Sequence, residues 1–139
     1  MFKKIIVLLV LITSIIFSQG WNNIKTTNIS VSNAQYAEMF SNSFGNNVIL
    51  QNTNGSITYY VLNCSTGIAG SPITIESVGA SLAQVTGDAQ KVYVVYRKNS
   101  KIMGKFTTDS GLSWSSINPD LNINPTSLDA VYHEGKLHI

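Results

Sequence analysis

A repeat of about 45 residues is the feature that most constrains how this chain can fold. Short segments rich in Val, Ile, Tyr and Thr recur between clusters of Asn, Gly and Asp, which predicts antiparallel strands joined by tight turns. Asn47-Val48 aligns with Lys91-Val92 at an offset of 44 residues, and Lys91-Val92 aligns with Lys136-Leu137 at an offset of 45. The repeat therefore predicts an all-β chain built from similar units.

The strand signals are clearest in one hairpin of each of the first two units. These hairpins are predicted from residues 48–50 with 57–61, and from residues 92–96 with 102–106. Asn54-Gly55 favours a hairpin turn because this pair tolerates positive φ angles, and residues 98–101 lie in the equivalent place of the second hairpin. A further short strand that ends in a polar turn is predicted before each copy, at residues 36–40, 81–85 and 127–132.

A period of this length with four strand-like segments is typical of a β-propeller blade. One four-stranded blade cannot bury both of its faces alone and must stack on its neighbours. The predicted architecture is an incomplete propeller over residues 21–139. Its blades cover about 32–76 and 77–122, and a third blade begins at 123–139.

The second unit carries a motif with defined spacing. Thr107, Asp109, Gly111, Ser113 and Trp114 meet all five specified positions of the pattern Ser/Thr-x-Asp-x-Gly-x-Thr/Ser-Trp. This stretch resembles the Asp-box, or bacterial neuraminidase repeat, of sialidase-like β-propellers. The resemblance implies that the motif occupies the turn between the third and fourth strands of a blade, far from any active centre.

The residue types of this motif suit a structural turn. Asp109 can accept hydrogen bonds from backbone amides, Gly111 can adopt a positive φ, and Trp114 can bury its ring. The first unit has a degenerate counterpart at residues 63–67, which keeps Gly67 at an offset of 44 from Gly111 and lacks the Asp and the Trp. We therefore interpret the motif as a fold element and not as a catalytic or calcium-binding site.

Catalytic residues of a sialidase are not found in this sequence. The resemblance implies a triad of arginines that clamps the substrate carboxylate, and this chain has one arginine, Arg97. Lysine cannot replace such a clamp because it lacks the planar fork of donors. The Phe/Tyr-Arg-Ile-Pro motif that opens the first sialidase blade is also missing. No catalytic residue can be carried over.

Metal, cofactor and disulfide chemistry is not predicted either. His133 and His138 stand apart from any cluster with metal-ligand spacing, and no cofactor motif is found. Cys64 is the only cysteine, so an intrachain disulfide is excluded. We interpret Cys64 as a partly buried structural thiol.

The first 20 residues are predicted to be a secretory signal peptide. Lys3 and Lys4 precede an apolar run over residues 5–17, and the small residues Ser18 and Gly20 follow it. Export predicts an extracellular, cell-surface or periplasmic location and no membrane span after cleavage. Cleavage would leave seven basic and seven acidic residues, and this balance argues against nucleic acid as a partner. Five of those basic residues lie within 91–105, which we interpret as a solvated hairpin face.

The predicted function is that of an exported, non-catalytic propeller that presents a surface for a glycan or an extracellular protein. One alternative is the N-terminal part of a sialidase-like glycoside hydrolase with its catalytic residues beyond this chain, and another is a β-sandwich adhesion module. Propellers close with four to eight blades, whereas residues 21–139 hold two and part of a third. We therefore expect the remaining blades to lie in a longer chain.

Overall fold

The structure is a computed structural model that describes residues 29, 33–117, 119 and 123–139. The predicted signal peptide over residues 1–20 lies outside the described residues. The described part contains ten strands and no helix, and hence no helix that could cross a membrane. The strands are β1 (Ala34–Asn42), β2 (Gly45–Asn52), β3 (Ile57–Leu62), β4 (Ile73–Glu76), β5 (Ala80–Gly87), β6 (Val92–Lys98), β7 (Lys101–Thr107), β8 (Ser115–Ile117), β9 (Val131–His133) and β10 (Lys136–His138).

The strands form two four-stranded sheets and one hairpin, all antiparallel. The first sheet has the order β1-β2-β3-β4, the second has the order β5-β6-β7-β8, and β9 pairs with β10. Each strand pairs with its neighbour in the chain, so both sheets are simple meanders. The prediction of an all-β chain is confirmed for the described residues.

The predicted strands agree with the structure except before the last hairpin. β2, β3, β6 and β7 contain the four segments predicted as hairpin strands. The strand predicted over residues 127–132 is wrong over residues 127–130 because β9 begins only at Val131. Ala130 N donates to the side chain of Asp129 at 2.9 Å, and such a local bond competes with ladder pairing.

The turns of the two central hairpins differ. Gly55 N donates to Asn52 O at 2.9 Å and Gly55 has a φ of 77°, so this connection is a tight turn followed by a left-handed glycine. In the second hairpin Asn99 and Ser100 have φ angles of 51° and 61°, as a two-residue turn of the mirror-image type requires. Both turns lie where the sequence predicted them.

The main core lies between the facing sides of the first and second sheets. From the first sheet it receives Ile49, Ile57, Tyr59 and Ile75, and from the second Ala80, Ala83, Val85, Val92, Val94 and Tyr96. Ile49 and Tyr59 are cross-strand partners, so their side chains lie on the same face. Alternation along β6 gives the opposite face of the second sheet to Tyr93, Val95 and Arg97.

Polar contacts join the two sheets along their edges. Glu38 accepts a hydrogen bond from Val85 N at 2.7 Å, and burial raises the pKa of Glu38 although this bond opposes the rise. Lys98 forms an ion pair with Glu76 at 2.8 Å. Burial acts to raise the pKa of Glu76. Hydrogen bonds from Lys98, Ser77 N and Tyr96, together with the charge of Lys98, nevertheless hold the pKa of Glu76 below its ordinary value.

The basic hairpin is less solvated than the sequence predicted. Lys105 donates to Ile75 O at 2.5 Å, and Lys98 is half-buried in its ion pair with Glu76. The interpretation as a solvated face is therefore wrong for these two lysines, whereas Lys101 is exposed. Their charges lie at the junction of the two sheets because both lysine side chains reach β4.

The β9–β10 hairpin lies against the second sheet. Tyr132 N donates to the hydroxyl of Thr86 at 3.1 Å, and the ring of Tyr132 stacks on that of Tyr93. Arg97 donates to Pro125 O at 3.0 Å. The first sheet, the second sheet and the hairpin thus stack in chain order.

Candidate functional site

The turn over residues 107–114 connects β7 to β8, the third and fourth strands of the second sheet. Its centre is the carboxylate of Asp109. Asp109 Oδ1 accepts hydrogen bonds from the Thr107 hydroxyl at 2.7 Å and from Ser113 N at 2.9 Å, and Oδ2 accepts from the Ser113 hydroxyl at 2.5 Å. These bonds lower the pKa of Asp109 to about 2, the one from the Ser113 hydroxyl most of all.

The backbone of the turn bends through two left-handed residues. Ser110 has a φ of 59° and Gly111 a φ of 90°. Gly111 N donates to the Thr107 hydroxyl at 2.9 Å, which ties the bend to the end of β7. A Cβ at Gly111 would lie 2.7 Å from the ring of Tyr59, so the position also needs the absence of a side chain. Ser110 was not expected to adopt this conformation.

Trp114 fixes the turn to the first sheet. Its ring is half-buried and meets Tyr59 edge to face, with ring centroids 5.0 Å apart, while Nε1 donates to Gly111 O at 3.1 Å. Tyr59 is fully buried and donates its hydroxyl to Asn47 Oδ1 at 2.5 Å. The five motif residues are therefore brought together, and both carboxylate oxygens of Asp109 bind within the turn.

The degenerate counterpart over residues 63–67 forms a related turn by other means. Asn63 Oδ1 accepts from Ser65 N at 2.9 Å and from Thr66 N at 3.0 Å, and Gly67 has a φ of 73°. Cys64 is exposed at the surface of this turn, so its interpretation as a partly buried thiol is wrong. Residues 63–66 of this turn are exposed, and the turn contains no tryptophan.

We expect Asp109→Ala to lower the unfolding midpoint, because Ser113 N and two hydroxyls lose their acceptor. Asp109→Asn keeps an amide oxygen for two of these bonds and serves as the matched control. The depressed pKa means that the stabilisation is present above the ordinary value of 3.8 and is lost as the pH falls towards about 2. Thermal melts at neutral and acid pH test this, and an unchanged midpoint for Asp109→Ala would contradict it.

A cleft of about 320 Å³ lies where the first strands of the two sheets meet the segment before β9. Its lining combines amides, a phenol and two leucines, namely Gln35, Tyr36, Gln51, Leu82, Gln84 and Leu128. Gln84 Nε2 donates to the Tyr36 hydroxyl at 3.2 Å across the cleft. Gln51 is nearly buried and accepts from Ala83 N at 3.1 Å. The Gln51 side chain is therefore held by the backbone of β5, whereas the Tyr36 side chain remains exposed to solvent.

The backbone beside the cleft is irregular in both sheets. β1 shifts register between Ala34 and Tyr36, and β5 shifts between Ser81 and Gln84. Leu82 lies within the second irregularity and has a φ of 54°, a conformation that costs a leucine on the order of 1 kcal/mol. Such strain clusters at binding sites, which makes this cleft the candidate site of the described residues.

Sequence reasoning missed these cleft residues. The one available signal is a second similarity at an offset of 46, which aligns residues 34–37 with 80–83 and repeats Ser81-Leu82 as Ser127-Leu128. It marks three chain segments that the fold brings side by side. The cleft glutamines lie on separate strands, and only the stacking of the sheets brings them to one surface. The sequence alone therefore does not indicate that they lie together.

Ionisable groups outside the turn are engaged elsewhere or stand apart. Arg97 Nε donates to the Ser81 hydroxyl at 2.8 Å, and its guanidinium also holds Pro125 O. The described residues contain no group of three or more His, Cys, Asp or Glu that could hold a metal ion. His133 lies 3.6 Å from Glu134 in an exposed turn.

No protein-family model, curated protein or solved structure matches this chain.

Proposed function

We propose that the chain is an exported, non-catalytic protein of the propeller type that binds a neutral glycan in the cleft between its first strands. The cleft lining is the observation that carries this proposal. Two consecutive four-stranded meanders, with the β9–β10 hairpin packed on the other face of the second sheet in chain order, support the propeller architecture over a two-sheet sandwich. The position of the 107–114 turn between a third and a fourth strand supports the resemblance to Asp-box propellers.

The chemistry of the cleft fits an uncharged, hydroxyl-rich ligand. Side-chain amides both donate and accept hydrogen bonds, as the hydroxyl groups of a sugar do. Tyr36 is 39% exposed and offers a ring face together with a hydroxyl, which suits the mixed apolar and polar faces of a pyranose. Leu82 and Leu128 add apolar surface to the same cleft.

An acidic sugar fits this surface less well. Recognition of a carboxylate is strongest with a guanidinium that donates two parallel hydrogen bonds. Arg97, the one arginine of the chain, does not line the cleft, and it donates from Nε to the Ser81 hydroxyl and from Nη1 to Pro125 O. We therefore favour a neutral glycan over a sialoside as the ligand.

Replacement of Gln84 by alanine is expected to weaken glycan binding about tenfold, the loss of roughly one polar contact. Gln90→Ala is the matched control because Gln90 is exposed in the β5–β6 turn, outside the cleft. Binding of neutral oligosaccharides to the full chain is measured by titration calorimetry. Equal affinity of the Gln84 and Gln90 variants would place the ligand elsewhere.

A second assay separates the binder from its enzymatic rival. A non-catalytic protein releases no fluorophore from a fluorogenic sialoside, whereas the sialidase-like alternative predicts release by the longer chain that carries the remaining blades. Turnover that persists in purified, folded protein would overturn the proposal.

Export is tested by fusing residues 1–20 to a reporter that is active only outside the cytoplasm.

A further inference from the structure

Two tyrosines face each other between the second sheet and the β9–β10 hairpin. The rings of Tyr93 and Tyr132 have centroids 5.2 Å apart and planes inclined by 19°. This is the only stacked tyrosine pair among the described residues, which include all six tyrosines of the chain. Phe106, the cross-strand partner of Tyr93, also contacts its ring, with centroids 5.7 Å apart.

The Tyr132 hydroxyl lies within interaction distance of both the Tyr93 hydroxyl and the Asp88 carboxylate. Burial and the charge of Asp88 raise the pKa of Tyr93. Burial, the neighbouring Tyr93 and the charge of Asp88 raise the pKa of Tyr132. Both side chains are therefore neutral phenols at neutral pH. In near-parallel rings whose hydroxyls converge, the ring carbons next to the hydroxyls also face each other.

The repeat does not require two phenols at this junction. Tyr93 corresponds to Ile49 of the first sheet at an offset of 44, and Ile49 is fully buried in the core. Tyr93 and Tyr132 are half-buried, unlike Tyr59 and Tyr96, which are 0% and 1% exposed. The pair is thus both pre-aligned and open to a soluble reagent.

We propose that Tyr93 and Tyr132 are a dityrosine site, at which a peroxide-driven one-electron oxidant joins the β9–β10 hairpin covalently to the second sheet. Each phenol gives one electron to the oxidant and one proton to the Asp88 carboxylate or to water. The two phenoxyl radicals form a carbon–carbon bond between the ring positions next to the hydroxyls, and both rings then regain aromaticity by moving a proton from carbon to oxygen. One hydrogen peroxide takes up the two electrons and two protons and leaves as two waters.

The test uses the full chain in dilute solution with a haem peroxidase and hydrogen peroxide. We expect dityrosine fluorescence from monomeric protein, and a mass loss of two hydrogens on a cross-linked peptide pair that fragmentation maps to Tyr93 and Tyr132. Tyr93→Phe and Tyr132→Phe should each abolish this product. Tyr60→Phe is the matched control that keeps it, because Tyr60 makes no ring contact with a tyrosine among the described residues.

Two outcomes would overturn the proposal. One is dityrosine that maps to other pairs or forms only between chains, which a rise with protein concentration would reveal. The other is a folded chain that yields no more of the 93–132 product than the urea-unfolded chain does. In the expected case the cross-linked protein also protects residues 131–138 from hydrogen exchange, since the hairpin can no longer leave the sheet.

Discussion

Tyr59→Ala is expected to destabilise the protein by about 3–5 kcal/mol, the range for removing a large aromatic side chain from a core. Tyr59 is fully buried, packs in the cluster between the two sheets, and supports Trp114 from the neighbouring sheet. Its loss would leave a cavity and would also free the ring that fixes the 107–114 turn. Urea unfolding followed by tryptophan fluorescence measures the change. A loss below about 1 kcal/mol would show that the site collapses around the smaller side chain.

Tyr59→Phe separates the hydroxyl from the ring. The variant keeps the contact with Trp114 and leaves Asn47 Oδ1 without its donor. Asn47 is fully buried, and its Nδ2 already donates to Phe40 O, Asn42 Oδ1 and Gly45 O. An unsatisfied buried acceptor costs about 1–3 kcal/mol, so this variant should be less damaging than Tyr59→Ala. Equal losses in both variants would assign the effect to the polar network alone.

The strands were predictable because their signals are local. Alternating β-branched and aromatic residues in β2, β3, β6 and β7, with Asn and Gly between them, define the hairpins without reference to the rest of the chain. The turn over residues 107–114 was equally accessible, because Asp109, Gly111 and Ser113 interact within a few residues of one another. Local hydrogen bonds and local conformational preferences leave a mark on the sequence.

The features that sequence analysis missed depend on the contact between sheets. Lys98 and Lys105 bind to β4 of the first sheet, and nothing in their own neighbourhood distinguishes them from solvated lysines. Leu82 adopts a positive φ, although leucine has no intrinsic preference for it, because β5 is irregular beside the cleft. The cleft itself joins residues of three segments, so it exists only once the sheets have stacked.

Gly87→Ala is expected to cost about 3 kcal/mol, at the upper end of the cost of forcing extra atoms into a packed site. A Cβ at Gly87 would lie 2.0 Å from Lys91 O and 3.1 Å from the ring of Phe40 in the first sheet. Lys91 O accepts from Asp88 N at 3.0 Å and closes the β5–β6 turn. Because the clash is with backbone, no side-chain rotation can relieve it, and the turn must open.

The opening of that turn would also loosen the two sheets from each other. Asn42 Nδ2 donates to Asp88 O at 3.0 Å, and the Ser43 hydroxyl donates to Ala89 O, so the turn is held from the first sheet. Gly70→Ala is the matched control, because its Cβ would meet only Val61 O at 3.6 Å, and we expect a change within about 0.5 kcal/mol. Hydrogen exchange at Val85 N, which donates to Glu38, reports the junction directly. Faster exchange in the Gly87 variant than in the Gly70 variant is the expected result, and equal rates would show that the turn opens without disturbing the contact between the sheets.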